Sequence, residues 1–275
     1  MPQALLFLIS IVAGCVGAIT GMGGGVILIP ALTLGGIGIK RAIALSVLSM
    51  LAISNTAASG YVRHHMPNLR VSGFLEVYAV IGAVIGSFGA LACTPRFLFV
   101  CCGAALFLLG GMLWRQHITK LPAAVPQDRF SRTLGWYGSY YDEAEGRTIS
   151  YHGRNAGLAG PLMCIAAMAS GLMGMGGSAF VVLMNDFVIG LPQKVALTTS
   201  NLIIGVMALA SADLYLEAGL IDVRLVGPAI LGVAFGSFLG SQVVLKLTNR
   251  TTRAIFAYVL VALGVELLIR GLWIW

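Results

Sequence analysis

Two long stretches of this chain carry no charged side chain, and their length constrains the fold more than any other feature. They are residues 1–39 and residues 155–185. A single helix of 39 residues would be roughly 58 Å long, whereas the hydrocarbon core of a membrane is about 30 Å thick. Each stretch must therefore reverse direction within the membrane or at its surface. Each also contains a glycine cluster where a turn can form, GMGGG at 21–25 and GMGGS at 174–178.

The composition places the chain in a lipid bilayer. Of its 275 residues 58% are hydrophobic and only 10% are charged, whereas a soluble domain carries about 25% charged residues. The 36 glycines fit closely packed transmembrane helices. The net charge of +7 comes from basic residues in loops between apolar runs, which indicates membrane topology and argues against a nucleic-acid partner. We therefore predict an all-α integral membrane protein.

The order of the apolar runs predicts two membrane repeats joined by a connector. GMGG recurs at 21–24 and 174–177, Ala44-Leu45 matches Ala196-Leu197, and Gly86-Ser87-Phe88 matches Gly236-Ser237-Phe238. The predicted units are residues 1–114, a connector of residues 115–154, and residues 155–275. Each repeat is predicted to be a Gly-broken, re-entrant-type helical hairpin followed by three transmembrane helices. Within the connector, residues 138–152 have the pattern of a β-hairpin.

The positions of the basic residues favour an inverted arrangement of the two repeats. If each broken hairpin returns to its starting face, twelve of the 17 Lys and Arg residues lie on the side of the connector. The positive-inside rule then makes the connector cytoplasmic and places both termini outside a cell (inner or plasma) membrane.

The two glycine clusters are the predicted binding site. A short helix that begins after such a turn directs free N–H groups and the positive end of its dipole into the membrane, where they attract an anion. Two inverted repeats would bring two such helix starts to a site at the membrane midplane. The alternative is that the glycines only allow tight helix packing. The candidate residues are Gly21, Met22, Gly23, Gly24, Gly25, Gly174, Met175, Gly176, Gly177 and Ser178.

Polar residues on the next span of each repeat are further candidates, because hydroxyls and amides can donate hydrogen bonds to an oxyanion. Alternatively they hold helices together. These candidates are Ser46, Ser49, Asn55, Thr198, Thr199 and Asn201. The five cysteines and four histidines show no metal-ligand spacing, so we predict no metal and no cofactor.

The motifs resemble those of a known family. GAITGMGGGVILIPALTLGG (17–36), repeated more weakly as SGLMGMGGSAFVVLMNDFVIG (170–190), resembles the TauE/SafE family of membrane proteins. The resemblance covers most of the chain and implies passage of a small sulfur-containing anion such as sulfite or an organosulfonate. The second copy departs from the pattern, with Ser178 where a third glycine is usual and Leu183 where a proline would stand. The resemblance therefore leaves open whether the two half-sites contribute equally.

These observations predict membrane transport of a small inorganic or organic anion through a site between the repeats. An anion channel with the same site and a non-transporting membrane subunit are the alternatives. The chain has neither G-x-S-x-G nor H-E-x-x-H, so we predict that it is not an enzyme. The oligomeric state stays open, with a homodimer among the options.

Overall fold

In a computed structural model the described part of the chain is mostly helical and includes a small β-hairpin. The structure describes residues 3–21, 23–64, 66–94, 96–97, 100, 103–104, 107, 111, 128–144, 146–173 and 178–273. In chain order the elements are α1 Gln3–Thr20, α2 Gly25–Leu34, α3 Ile39–Arg63, α4 Leu69–Ala92, α5 Arg129–Thr133, β1 Tyr137–Asp142, β2 Arg147–His152, α6 Ala156–Met173, α7 Ser178–Leu183, α8 Gln193–Glu217, α9 Val223–Lys246 and α10 Asn249–Trp273. Helix α7 continues as a π-helical segment, Met184–Ile189.

Among the described residues, five helices are long and apolar enough to cross a membrane. They lie in α1, α3, α4, α8 and α9. Their outward faces carry large exposed apolar side chains, such as Ile85 on α4 and Phe235 on α9. Exposed apolar surface of this extent is stable against lipid rather than water. The predicted all-α membrane class is therefore confirmed.

The glycine cluster at 21–25 interrupts the first uncharged stretch. Helix α1 ends at Thr20, and Gly21, Gly23 and Gly24 have φ angles of 69°, 72° and 61°. This left-handed backbone conformation suits glycine and ends a right-handed helix. Helix α2, with ten residues, is about 15 Å long and cannot cross the membrane by itself.

Glycines also allow helices that are far apart in the sequence to touch backbone to backbone. A Cβ atom at Gly236 of α9 would lie 2.0 Å from the carbonyl oxygen of Ile11 on α1. A Cβ atom at Gly86 of α4 would lie 2.1 Å from the carbonyl oxygen of Met168 on α6. Helix α1 thus packs closely on α9, and α4 packs closely on α6, because small residues let the axes approach.

Helices α3 and α8 form the centre of the bundle and run in opposite directions. They contact each other where the Ser54 hydroxyl donates to the carbonyl oxygen of Asn201. The end of α3 and the start of α8 both meet the β1–β2 turn region: His64 Nδ1 lies 3.7 Å from a Glu143 carboxylate oxygen, and Lys194 Nζ lies 2.8 Å from Asp142 Oδ1.

Each of these central helices carries a tyrosine that donates a hydrogen bond to the last turn of a neighbouring helix, α1 or α6. The Tyr61 hydroxyl of α3 donates to the carbonyl oxygen of Ala18 at 3.0 Å, and the Tyr215 hydroxyl of α8 donates to that of Gly171 at 3.4 Å. Ala18 and Gly171 lie in the last turns of α1 and α6, where helix carbonyls lack a partner within the helix.

The described part of the connector docks onto the membrane helices. Strands β1 and β2 pair antiparallel, from Tyr137 opposite His152 to Asp142 opposite Arg147. The Trp136 ring is fully buried and makes an edge contact with Phe74 of α4, with ring centroids 5.4 Å apart. Residues 115–127 of the predicted connector lie outside the described residues.

Hydrogen bonds to Asp128 join the connector to the start of α6. Asp128 caps α5 through the Ser131 amide and also accepts from the Asn155 amide at 2.8 Å. Burial opposes ionisation of Asp128, but the hydrogen bonds from Ser131 and Asn155 outweigh it and lower the pKa of this carboxyl. The start of α6 is therefore fixed by the connector.

Candidate functional site

The glycine turn before α2 lies inside the bundle, between α1, α3 and α8. Gly21, Gly23, Gly24 and Gly25 are all buried. A Cβ atom at Gly24 would lie 2.5 Å from Ile53 Cδ1 of α3, and one at Gly21 would lie 3.0 Å from a Leu197 methyl carbon of α8. The turn therefore has no room for side chains, and its backbone lies directly against the two central helices.

The start of α2 offers fewer free N–H groups than the sequence predicts. The Gly25 amide donates to the Gly23 carbonyl at 2.6 Å, and the Ile27 amide donates to the Gly24 carbonyl at 3.1 Å. A helix start has four amides without helical partners, and here the turn itself satisfies part of that set. The positive end of the helix dipole is still directed into the protein.

The second glycine cluster precedes the short helix α7. Gly174, Met175, Gly176 and Gly177 lie outside the described residues, as does Met22 in the first cluster. Ser178 is the first residue of α7. Helix α7 and the π-helical segment together span residues 178–189, about 18 Å along the axis.

Five of the six predicted polar residues are fully buried, but most of their side chains already have partners. Ser49 donates to the Leu45 carbonyl at 2.9 Å, and Thr198 donates to the Lys194 carbonyl at the same distance. Thr199 accepts from the Asn68 amide at 3.0 Å and so fixes the loop before α4. Ser46, also fully buried, likewise has a partner. Asn55 has an exposed side chain, so the structure does not bring it together with the others.

Asn201 stands apart from this group. Its side chain is fully buried, and neither amide atom has a hydrogen-bond partner among the described residues. Its backbone carbonyl accepts from Ser54, so the residue lies where the two central helices cross. A buried amide costs free energy unless something hydrogen-bonds to it, which makes Asn201 the strongest candidate for a ligand contact.

The structure adds two polar residues that sequence reasoning missed. Asn185 lies in the π-helical segment and Gln193 is the first residue of α8. Both are buried, and each has side-chain atoms without a partner among the described residues. In the sequence, Asn185 is the last residue of the uncharged stretch 155–185, and Gln193 stands directly before Lys194. An amide at the edge of an uncharged stretch was the signal that could have identified them.

A buried ion pair joins the connector to the start of α8. Lys194 Nζ and Asp142 Oδ1 are 2.8 Å apart, and both side chains are completely buried. Because each charge neutralises the other, the pair gives the site no net positive charge. Within the described residues, no three His, Cys, Asp or Glu side chains are grouped in a way that could hold a metal ion.

Two comparisons with known proteins both match this chain to membrane transport proteins over nearly its whole length. A family model described as "Sulfite exporter TauE/SafE" matches residues 6–267. The chain is also 22% identical over 281 residues to the "Probable membrane transporter protein YunE" of Bacillus subtilis (strain 168), with 99% of each chain covered. No solved structure gives a significant match.

Proposed function

Because the chain belongs to the sulfite exporter TauE/SafE family, we propose that this membrane transporter moves a small sulfur-containing anion such as sulfite or an organosulfonate. The anion would cross a cell membrane through a midplane site at the glycine turns. Membership of this family implies a lipid bilayer environment and a small-molecule substrate, and it supports transport rather than catalysis. The same proposal places the connector in the cytoplasm and both termini outside.

An inverted repeat is part of this proposal. Helices α3 and α8 have 25 residues each, and α4 and α9 have 24 each. The hydrogen bonds from Tyr61 to Ala18 and from Tyr215 to Gly171 are the same contact in the two halves. The opposite directions of α3 and α8 support inversion of one half relative to the other.

One observation carries the proposed site: the unpartnered amide of Asn201 lies on α8 within the membrane, and the glycine turn packs on the same helix at Leu197. The residues differ by four positions, so they lie on one face of α8 about one turn apart. The turn gives close access to backbone and the positive end of a helix dipole, and the amide gives two further donors.

The test is flux in liposomes that contain only the purified protein. We expect saturable uptake of sulfite or a simple organosulfonate, and loss of that uptake in Gly23→Val and in Asn201→Leu. Asn201→Leu keeps the number and branching of the side-chain heavy atoms and removes an unpaired amide, so the protein should still fold and insert. Gly227→Val is the matched control, because no atom lies within 4 Å of a Cβ at this position. Unchanged flux in both site variants would refute the site, and currents far above transporter turnover would identify a channel.

A further inference from the structure

A second buried amide lies on the broken helix of the second half. Asn185 belongs to the π-helical segment Met184–Ile189 that continues α7. Its side chain has no exposed surface, and its oxygen Oδ1 has no hydrogen-bond partner among the described residues. Buried amide atoms are nearly always hydrogen-bonded, so Asn185, like Asn201, points to a ligand that supplies a missing bond.

Both amides lie about one helical turn from a residue that the first glycine turn contacts. A Cβ atom at Gly21 would lie 3.2 Å from a methyl carbon of Val182 and 3.0 Å from a methyl carbon of Leu197. Asn185 follows Val182 by three residues and Asn201 follows Leu197 by four, so each amide shares a helix face with one of these contacts. The glycine turn of the first half and the two amides of the second half therefore surround one region of the bundle.

Ser200 connects the two amides. Asn185 Nδ2 donates to Ser200 Oγ at 2.8 Å, and Ser200 directly precedes Asn201 on α8. A serine hydroxyl can donate a hydrogen bond as well as accept one. When the Asn185 amide is rotated by 180°, the hydroxyl can donate to Oδ1, and both hydrogens of Nδ2 become available to the oxygens of an anion. The pair can therefore bind an anion without adding a charged side chain.

The connector holds the segment that carries Asn185. The Arg154 amide donates to the Ile189 carbonyl oxygen at 3.0 Å, and the Asn155 side chain donates to the Val188 carbonyl oxygen at 2.9 Å. These bonds satisfy carbonyl groups at the end of the segment, where partners within the helix are missing. The segment is fixed at its end, as a side chain that must meet a ligand in a defined position requires.

The corresponding positions in the first half offer no such groups. The glycine motif aligns Asn185 with Leu32, and the Ala-Leu match aligns Asn201 with Ser49. Leu32 has an apolar side chain, and the Ser49 hydroxyl already donates to the Leu45 carbonyl oxygen. The first half therefore brings its glycine backbone to this region, whereas the second half brings amide side chains.

We propose that Asn185 and Asn201 together bind the oxygens of the transported anion, and that the two halves contribute unequally. The second half supplies the side-chain amides, and the first half supplies the backbone of its glycine turn. The proposal rests on the proposed function and specifies the residues of its site. The expected substrates share the oxygens of a sulfite or sulfonate group, so neutral amide donors serve each of them.

The experiment measures the concentration dependence of methanesulfonate and sulfite uptake by proteoliposomes. Asn185→Leu should raise KM about tenfold for both probes, because it removes hydrogen bonds worth about 1.4 kcal/mol to the bound anion. Ser200→Ala should raise KM about threefold, because Asn185 keeps its amide but loses the hydroxyl that orients it. The matched control is Gln242→Leu on α9, where the amide side chain is exposed.

Thermal unfolding in detergent, with and without methanesulfonate, separates loss of binding from loss of folding. A ligand that binds only the folded protein raises its Tm. Wild-type protein and Gln242→Leu should show this increase, whereas Asn185→Leu should show little of it at the same concentration. A normal increase in Tm and a wild-type KM in Asn185→Leu would overturn the proposed contact, whatever the Tm of this variant without the ligand.

Ser49→Ala tests the unequal contribution of the halves, because Ser49 is the counterpart of Asn201. Its KM should stay near the wild-type value, and an increase as large as that in Asn185→Leu would overturn the inequality. Wild-type uptake in Asn185→Leu with lost uptake in Asn201→Leu would overturn the joint contact and leave the proposed function intact. Absence of uptake of both probes by the wild-type protein would instead overturn the proposed function.

Discussion

Replacing Lys194 by methionine is expected to destabilise the protein by about 3 kcal/mol. The ammonium group lies 2.8 Å from Asp142 Oδ1, and neither side chain is exposed. Breaking a buried ion pair costs about 3–5 kcal/mol, because the remaining charge stays buried without compensation. The lower end of this range applies here, since Asp142 keeps the Ala144 amide at 3.0 Å and the Tyr140 hydroxyl at 3.4 Å.

The double variant Lys194→Met with Asp142→Asn should recover most of this loss. Removing both charges leaves no buried ion, and such neutral replacements are often tolerated well. The coupling free energy from the double-mutant cycle should therefore be about 2–3 kcal/mol. Thermal unfolding in detergent, followed by tryptophan fluorescence, measures each variant, and about 3 kcal/mol corresponds to a Tm decrease of roughly 6–12 °C.

Lys40→Met is the matched control. Lys40 lies in the first turn of α3, as Lys194 lies in the first turn of α8, but it is exposed and donates to the Leu91 carbonyl oxygen at 3.1 Å. Its removal should leave the Tm nearly unchanged. The reasoning is refuted if Lys194→Met and Lys40→Met have equal effects, or if the double variant is as unstable as Lys194→Met.

Two further stability predictions use the same unfolding assay. Tyr215→Phe should cost about 1 kcal/mol, because it leaves a helix-end carbonyl without a donor inside the membrane, while Tyr141→Phe on the exposed face of β1 should have no effect. Gly236→Leu should cost about 3 kcal/mol or more, because its Cβ would lie 2.0 Å from a backbone oxygen, whereas Gly227→Leu on the same helix points into open space. Similar Tm values within either pair would contradict the contact on which that prediction depends.

The membrane class could be predicted because it depends on where charges are absent, which the sequence states directly. The register of the proposed repeat could not be predicted. The sequence match paired Gly86 with Gly236, but the capping residues Asn68 and Asp222 and the equal lengths of α4 and α9 pair Gly82 with Gly236 instead. The difference is one helical turn, which a short Gly-Ser-Phe match cannot resolve in helices that are rich in glycine.

The candidate site was predictable only in part, because burial of polar groups depends on long-range contacts. The burial of Lys194 cannot be read from its neighbours in the sequence, since its partner Asp142 is 52 residues away in the chain. Asn185 lies in a π-helical segment, and no local pattern distinguishes such a segment from an ordinary helix end. Thr199 has the residue type of a ligand contact, but its hydroxyl fixes the loop before α4.

The close packing of α1 on α9 has a consequence for how the protein is made. Phe7 and Ile11 of α1 meet Gly232 and Gly236 of α9, more than two hundred residues later in the chain. At about 5–20 residues per second, the ribosome delivers α9 roughly 10–45 s after α1 has entered the membrane. During that time the tightly fitting face of α1 has only lipid or insertion factors beside it. The amino-terminal half therefore completes its folding only after synthesis of the carboxyl-terminal half, and a chain truncated before residue 223 is expected to be recognised as incomplete by membrane quality control.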